Sequence, residues 1–257
     1  MEIIASYYTD AGNTKQKNQD SLSVKIVNSP QGKIVFAVVC DGMGGLEQGE
    51  LASREVVMAF NDWFHTCFAQ MVADNTVLED SIYNGWKERI DFINGKLGKY
   101  SQAQGVMLGT TLTALLIYQN RYYICHVGDS RIYKLDSNLQ RVTVDHTLVE
   151  QEVQMGRITE DQAKIDPRRS VLVQCVGASL VIEPQLESGI ISGDVTFLLC
   201  SDGFVHELSE TEIFERFVPR ALQKKEQVTN ACKELTEIAM SRGERDNITA
   251  VGIVLKM

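Results

Sequence analysis

Lys33-Ile34-Val35-Phe36-Ala37-Val38-Val39-Cys40 runs straight into Asp41-Gly42-Met43-Gly44-Gly45. The first eight residues are nearly all apolar and rich in β-branched side chains, which predicts a central strand. The glycine-rich stretch that follows breaks that strand sharply and leaves a carboxylate at its end. Upstream, residues 3–8 and 21–27 also read as strands. Downstream, a helix is predicted over 49–68, because Ala52, Val56, Ala59, Phe60 and Trp63 recur at helical spacing. A second helix is predicted over 77–97, with Leu78, Ile82, Trp86, Ile93 and Leu97 on one face.

Strands return at 111–118, 122–127 and 131–135, with a hairpin at Asn120 and a turn at Gly128-Asp129. Residues 145–180 are polar and irregular, with room for one or two short helices. Strands are predicted again at 182–190 and 194–200, and helices at 209–217 and 220–241. The last helix carries Val228, Cys232, Leu235 and Ala239 in register, and a strand over 248–255 follows. Strands thus come in groups and helices in pairs, without strict alternation. That order suggests layered sheets with helices outside more than a doubly wound parallel sheet. Only four prolines occur and no Pro/Gly/Ser-rich linker divides the 257 residues, so one domain over 1–257 is expected.

Hydrophobic residues make up 44% of the chain and the formal net charge is −9. A sizeable core can be buried, and nucleic acid and anionic membrane are poor partners for so acidic a surface. No stretch approaches the run of about 18 apolar residues that a membrane helix needs. The first ten residues lack the basic start of a signal peptide. Six cysteines occur without a CxxC pair, and Cys40, Cys125 and Cys200 lie in apolar runs. They read as reduced core residues of a cytoplasmic protein.

Four places, the opening stretch among them, share one design: an Asp beside Gly or Asn at the end of an apolar strand or, for Asp246, just before one. They are Asp41-Gly42, Gly128-Asp129, Asp202-Gly203 and Asp246-Asn247, and Asp20 stands just before another strand. A single Asp-Gly is usually a plain turn. Carboxylates that converge at one rim of a sheet repel one another and call for a cation. Oxygen-only ligands favour hard ions such as Mg²⁺, Mn²⁺ or Ca²⁺.

The ordered set resembles the type 2C metal-dependent serine/threonine protein phosphatases, the PPM family, in its compact bacterial form. The matching stretches are Thr9-Asp10-Ala11-Gly12 through Asn18-Gln19-Asp20, Asp41 to Gly45, Gly109-Thr110-Thr111, Gly128-Asp129-Ser130-Arg131, Asp145-His146, Ser201-Asp202-Gly203, and Gly243 to Thr249. The resemblance implies an α+β fold, a four-layer α-β-β-α sandwich of two antiparallel sheets flanked by helices. It implies hydrolysis of phosphoserine and phosphothreonine on proteins by a water activated at a paired Mg²⁺ or Mn²⁺ centre. Asp41 would bridge two tight ions, Asp202 and Asp246 would complete the first, and the Gly42 carbonyl would bind the second. Asp129 would join Asp202 at a third, weaker ion, and Asp20 would hold water around them. Lys15 stands where relatives carry a phosphate-binding Arg, so the charge is kept and the bidentate fork is lost. Met43 stands where many eukaryotic relatives have a His, and it cannot donate a proton. Residues 145–180 match the family's variable flap.

The resemblance further implies phosphorylated proteins as partners, an opposing serine/threonine kinase, and a monomer. Two alternatives stand beside it: a phosphatase of anti-sigma-antagonist-type phosphoproteins, and a catalytically inactive binding module. The module is disfavoured because such relatives lose metal aspartates, which this chain keeps.

Overall fold

The computed structural model describes residues 2–43 and 48–257. Gly44 and Gly45 of the predicted strand break lie outside the described residues. Two five-stranded antiparallel sheets hold the molecule. One has the order β1 (Glu2–Asp10), β10 (Ile248–Lys256), β9 (Val195–Cys200), β6 (Arg131–Leu135), β7 (Leu139–Arg141). The other has β2 (Ser21–Ser29), β3 (Gly32–Cys40), β4 (Leu112–Tyr118), β5 (Arg121–Val127), β8 (Gln185–Ile190).

The apolar run that opened the reading is strand β3, and it lies inside its sheet between β2 and β4. Its side chains alternate between two cores. Val35, Ala37 and Val39 face the layer between the sheets, with Leu115, Ile124, Phe197, Leu199 and Ile253. Phe36, Val38 and Cys40 face the helices. A strand buried on both faces has no polar side to display, which is why Val35 to Cys40 shows no alternation.

Helices cover the outer faces. Over the β3 sheet lie α1 (Gly49–Trp63), a π-helical segment Phe64–Phe68, α2 (Ala69–Ala73) and the long α3 (Glu79–Gln104). Trp63 and Trp86 meet there with ring centroids 5.4 Å apart. Over the β10 sheet lie α6 (Asp202–Val205), α7 (Glu210–Phe217) and α8 (Lys225–Ser241), packed through Phe204, Phe217, Val228, Cys232 and Leu235. The flap carries α4 (Leu148–Gln154) and α5 (Glu160–Ile165).

The architecture is the predicted sandwich, with local differences. The first helix does not end at residue 68; it passes through the π-helical segment and runs to Ala73. The second reaches Gln104, and Leu78 stands outside its apolar face, 65% exposed. The predicted 220–241 helix splits into a 3₁₀ turn at Pro219–Ala221 and α8, with Leu222 and Lys224 in extended backbone between them. Strand β7 and helix α6, three and four residues long, were not expected; such short elements carry no usable periodicity. Among the described residues, no helix is long and apolar enough to cross a membrane. All six cysteines are free, and five are buried.

Candidate active site

Strand pairing alone brings the sequence-predicted carboxylates to one rim. Ser21 pairs with Cys40, so Asp20 and Asp41 leave the same edge of the β3 sheet. Cys200 pairs with both Ala250 and Arg131, so Asp202, Asp246 and Asp129 share an edge of the β10 sheet. Asp10 pairs with Ile248, which sets the loop after β1, carrying Lys15, beside Asp246.

The loops at this rim are tied by side chains. The Asp41 amide donates to Thr111 Oγ1 at 2.8 Å, and its carbonyl accepts from Thr110 Oγ1 at 2.7 Å. Asn247 Oδ1 accepts from the Gln19 amide at 2.8 Å, and Asn247 Nδ2 donates to the carbonyls of Ala11 and Lys17 at 3.0 Å each. Ser201 Oγ donates to Asp20 Oδ2 at 3.0 Å and accepts from the Thr249 amide at 2.9 Å. Two glycines are required by contact. Gly12 has φ +72° and its added Cβ would meet the Asp246 carbonyl at 2.5 Å. Gly42 is backed by the Gln19 carbonyl, which a Cβ would also meet at 2.5 Å.

The electrostatics are those of crowded buried acids. Burial raises the Asp41 carboxyl well above the usual range, and the charges of Asp20, Asp202, Asp129 and Asp246 raise it further. Burial likewise raises Asp129, with Asp202 and Asp145 adding to it. Burial raises Asp202 against the opposing pull of His206, and it raises Asp20 although the hydroxyls of Thr249 and Ser201 pull the other way. Buried carboxylates that raise one another need protons or cations. Asp20 Oδ1 and Asp202 Oδ1 are buried with no hydrogen-bonding partner. Among the described residues, no group of three His, Cys, Asp or Glu side chains closes into a ligand cage. An open acidic rim with free oxygens suits Mg²⁺ or Mn²⁺, which keep several of their waters.

Lys15 Nζ lies 3.1 Å from Asp246 Oδ1, whereas Lys17 pairs with Glu50 out in solvent. Met43 donates its amide to the Gly109 carbonyl at 3.1 Å. His146 is held as a flap residue: its Nδ1 lies 2.8 Å from Gln174 Nε2 and 3.2 Å from the Gly128 amide. Its ring lies 5.0 Å from that of His126. Burial lowers the His146 pKa, and burial together with His146 lowers His126 to about 3.

Sequence reasoning gave no role to several residues that shape this rim. Arg131 grips Asp145 through Nε (3.0 Å) and Nη2 (2.6 Å), tying the base of the flap to the turn that carries Asp129. His206 stands between Asp202 and Glu244, at 3.5 and 3.3 Å. Burial opposes its charged form, yet the two acids hold its pKa above the ordinary value. Arg131, Asp145 and Glu244 all lie inside the family motifs, but nothing in those motifs says which side chains pair. A groove of about 830 Å³ begins at Asp129 and Asp202 and runs between α4–α5 and α6–α7.

Residues 10–238 match the family model described as protein phosphatase 2C. The chain is 30% identical over 250 residues to the serine/threonine phosphatase stp of Listeria monocytogenes serotype 4b (strain F2365), covering 96% of this chain and 94% of that protein. It superposes on the serine/threonine phosphatase Stp1 of Staphylococcus aureus with a TM-score of 0.83 at 26% identity, covering 100% of this chain and 96% of that one. It also superposes on the catalytic domain of the serine/threonine protein phosphatase PstP in complex with two manganese ions. There the TM-score is 0.76 at 26% identity, and 99% of each chain is covered.

Proposed function

The chain belongs to the protein phosphatase 2C family and is a serine/threonine protein phosphatase, and from that premise we propose that it hydrolyses phosphoserine and phosphothreonine at a Mg²⁺ or Mn²⁺ centre held by its acidic rim, opposing serine/threonine kinases. The observation that carries this reading is the set of crowded, mutually repelling carboxylates, Asp129 and Asp202 buried and the others half-buried, with buried partnerless oxygens on Asp20 and Asp202.

Asp41, Asp202 and Asp246 would hold the paired ions with the Gly42 carbonyl, and Asp129 would serve a third, weaker one. Bound there, such ions lower the pKa of water and offset the charge of the phosphoryl oxygens. Lys15 sits at the mouth of the rim and supplies a point charge to the same oxygens. Asp20, one oxygen fixed by Ser201 and the other free, orients water for in-line attack on phosphorus. The P–O bond to the serine or threonine oxygen breaks, and that oxygen leaves as the alcohol once protonated. No side chain is phosphorylated in this scheme. Met43 carries no proton to give, and His146 is held through its Nδ1 by Gln174 and the Gly128 amide. A water at the rim would supply the proton to the leaving oxygen.

The test is turnover of matched phosphoserine, phosphothreonine and phosphotyrosine peptides with added Mn²⁺ and after chelation. Hydrolysis of the first two only with Mn²⁺, and little of the third, is expected. Unchanged turnover after chelation contradicts the metal centre.

A further inference from the structure

Asp202 and Asp246 reach the rim from different segments, and one buried side chain touches the supports of both. Glu244 is 8% exposed. Its Oε1 accepts the amides of Arg245 at 2.6 Å and Asp246 at 2.8 Å, which fixes the turn that presents Asp246. Its Oε2 lies 3.3 Å from His206 Nδ1, and His206 Nε2 lies 3.5 Å from Asp202 Oδ2. His206 is one helical turn beyond Asp202, and its amide donates to the Asp202 carbonyl at 3.1 Å. A polar chain Asp246–Glu244–His206–Asp202 thus crosses from the loop before β10 to helix α6.

Packing does not call for this chain. Strands β9 and β10 are already zipped from Ala250–Cys200 onward, and Phe204 anchors α6 in the core. Burying a glutamate and a histidine there costs free energy unless their contacts return it. The contacts have a directional result. His206 stands against Asp202 Oδ2, while Asp202 Oδ1 is left buried and without a partner.

We propose that Glu244 is a positioning residue for the metal rim: one oxygen sets the Asp246 turn, and the other, through His206, sets which oxygen of Asp202 is offered to an ion. This rests on the metal reading above. Supports of this kind change metal affinity by about 10–100-fold when removed.

The experiment is calorimetric titration of the full chain, stripped with chelator, with Mn²⁺. Glu244→Gln keeps an oxygen for the two loop amides but sets an amide group against His206. His206→Gln removes the second arm and leaves the loop amides untouched. Each is expected to weaken Mn²⁺ binding about tenfold or more, and the double variant to be little worse than either single one. Saturating Mn²⁺ should restore turnover of an aryl phosphate with KM unchanged, which damage to the fold would not allow. Glu207→Gln removes a neighbouring charge outside the chain and should bind Mn²⁺ as the wild type does. If Glu244→Gln does not fold, His206→Gln carries the test. Unchanged affinity in the folded variants, or an equal loss in Glu207→Gln, overturns the proposal while leaving the metal reading standing. A wild-type chain that binds no Mn²⁺ overturns both.

Discussion

The acidic rim and the flap lie side by side, but they are held by different forces. The rim is fixed by strand register: five aspartates arrive together because the strands ending or starting at them pair residue by residue. The flap, residues 145–180, has little ladder structure among its described contacts. It is held by polar pairs such as Arg131–Asp145, Arg141–Glu150, Arg168–Glu152 and His146–Gln174. One region keeps repelling charges together by covalent and backbone geometry. The other keeps attracting charges together at a surface. The first should tolerate loss of its charges as a fold and fail as a catalyst; the second should do the reverse.

The largest effect is expected at the rim. Asp41→Asn and Asp202→Asn should each lower kcat/KM on a phosphothreonine peptide by about a thousandfold or more, since several kcal/mol of charge stabilisation are lost. The chelator-treated variants should melt no lower than chelator-treated wild type, because one repelling charge is gone. The pH dependence follows the same logic. Folding raises the Asp41 carboxyl above its unfolded value, so the native state binds more protons between the two values. In chelator, the part of the stability that Asp41 sets should therefore be greatest below its unfolded value and be lost as pH rises through the native value, so wild type should lose more stability over that range than Asp41→Asn. Thermal melts of both proteins across pH measure it, and equal slopes break the contrast.

Lys15→Ala comes next. A charged hydrogen bond is worth roughly 1.5–3 kcal/mol, so kcat/KM should fall about ten- to a hundredfold, with KM raised and kcat lowered. Lys17→Ala should be silent, as its partner Glu50 lies in solvent. The reverse pattern would show that Lys17, not Lys15, meets substrate.

At the base of the flap, Arg131→Ala leaves buried Asp145 with only the longer contact to Arg141, at 3.7 Å. Fully buried pairs lose about 3–5 kcal/mol when broken this way. Arg131 is 25% exposed, so a loss of about 1–3 kcal/mol is expected in urea denaturation. A change confined to turnover would mean that the flap is held by something else. The smallest effect is His146→Ala. It should change turnover of an aryl phosphate by less than about threefold and of a phosphothreonine peptide by under about tenfold. A hundredfold loss on the peptide alone is the signature of general acid catalysis.

The same contrast explains what the sequence could disclose. Val35 to Cys40 betrays a doubly covered strand because burial on two faces removes polar residues. Asp41, Asp202 and Asp246 are legible because each terminates or precedes such a strand. Glu244 and His206 are not, since their partnership spans 38 residues of chain and leaves no periodic mark. Flap pairs such as Arg168–Glu152 are chosen among many surface charges, any of which could pair. The π-helical segment at Phe64–Phe68 is invisible for a related reason: its residues keep helical spacing while the backbone gains one residue in the turn.

The central claim is that the rim exists to hold cations. Calorimetric titration of the chelator-stripped wild-type chain with Mn²⁺, beside Asp41→Asn, tests it most directly. Two tight sites and a weaker third are expected in the wild type, with both tight sites lost in Asp41→Asn and the fold intact by circular dichroism. Equal Mn²⁺ binding by the two proteins, or none by the wild type, would contradict it.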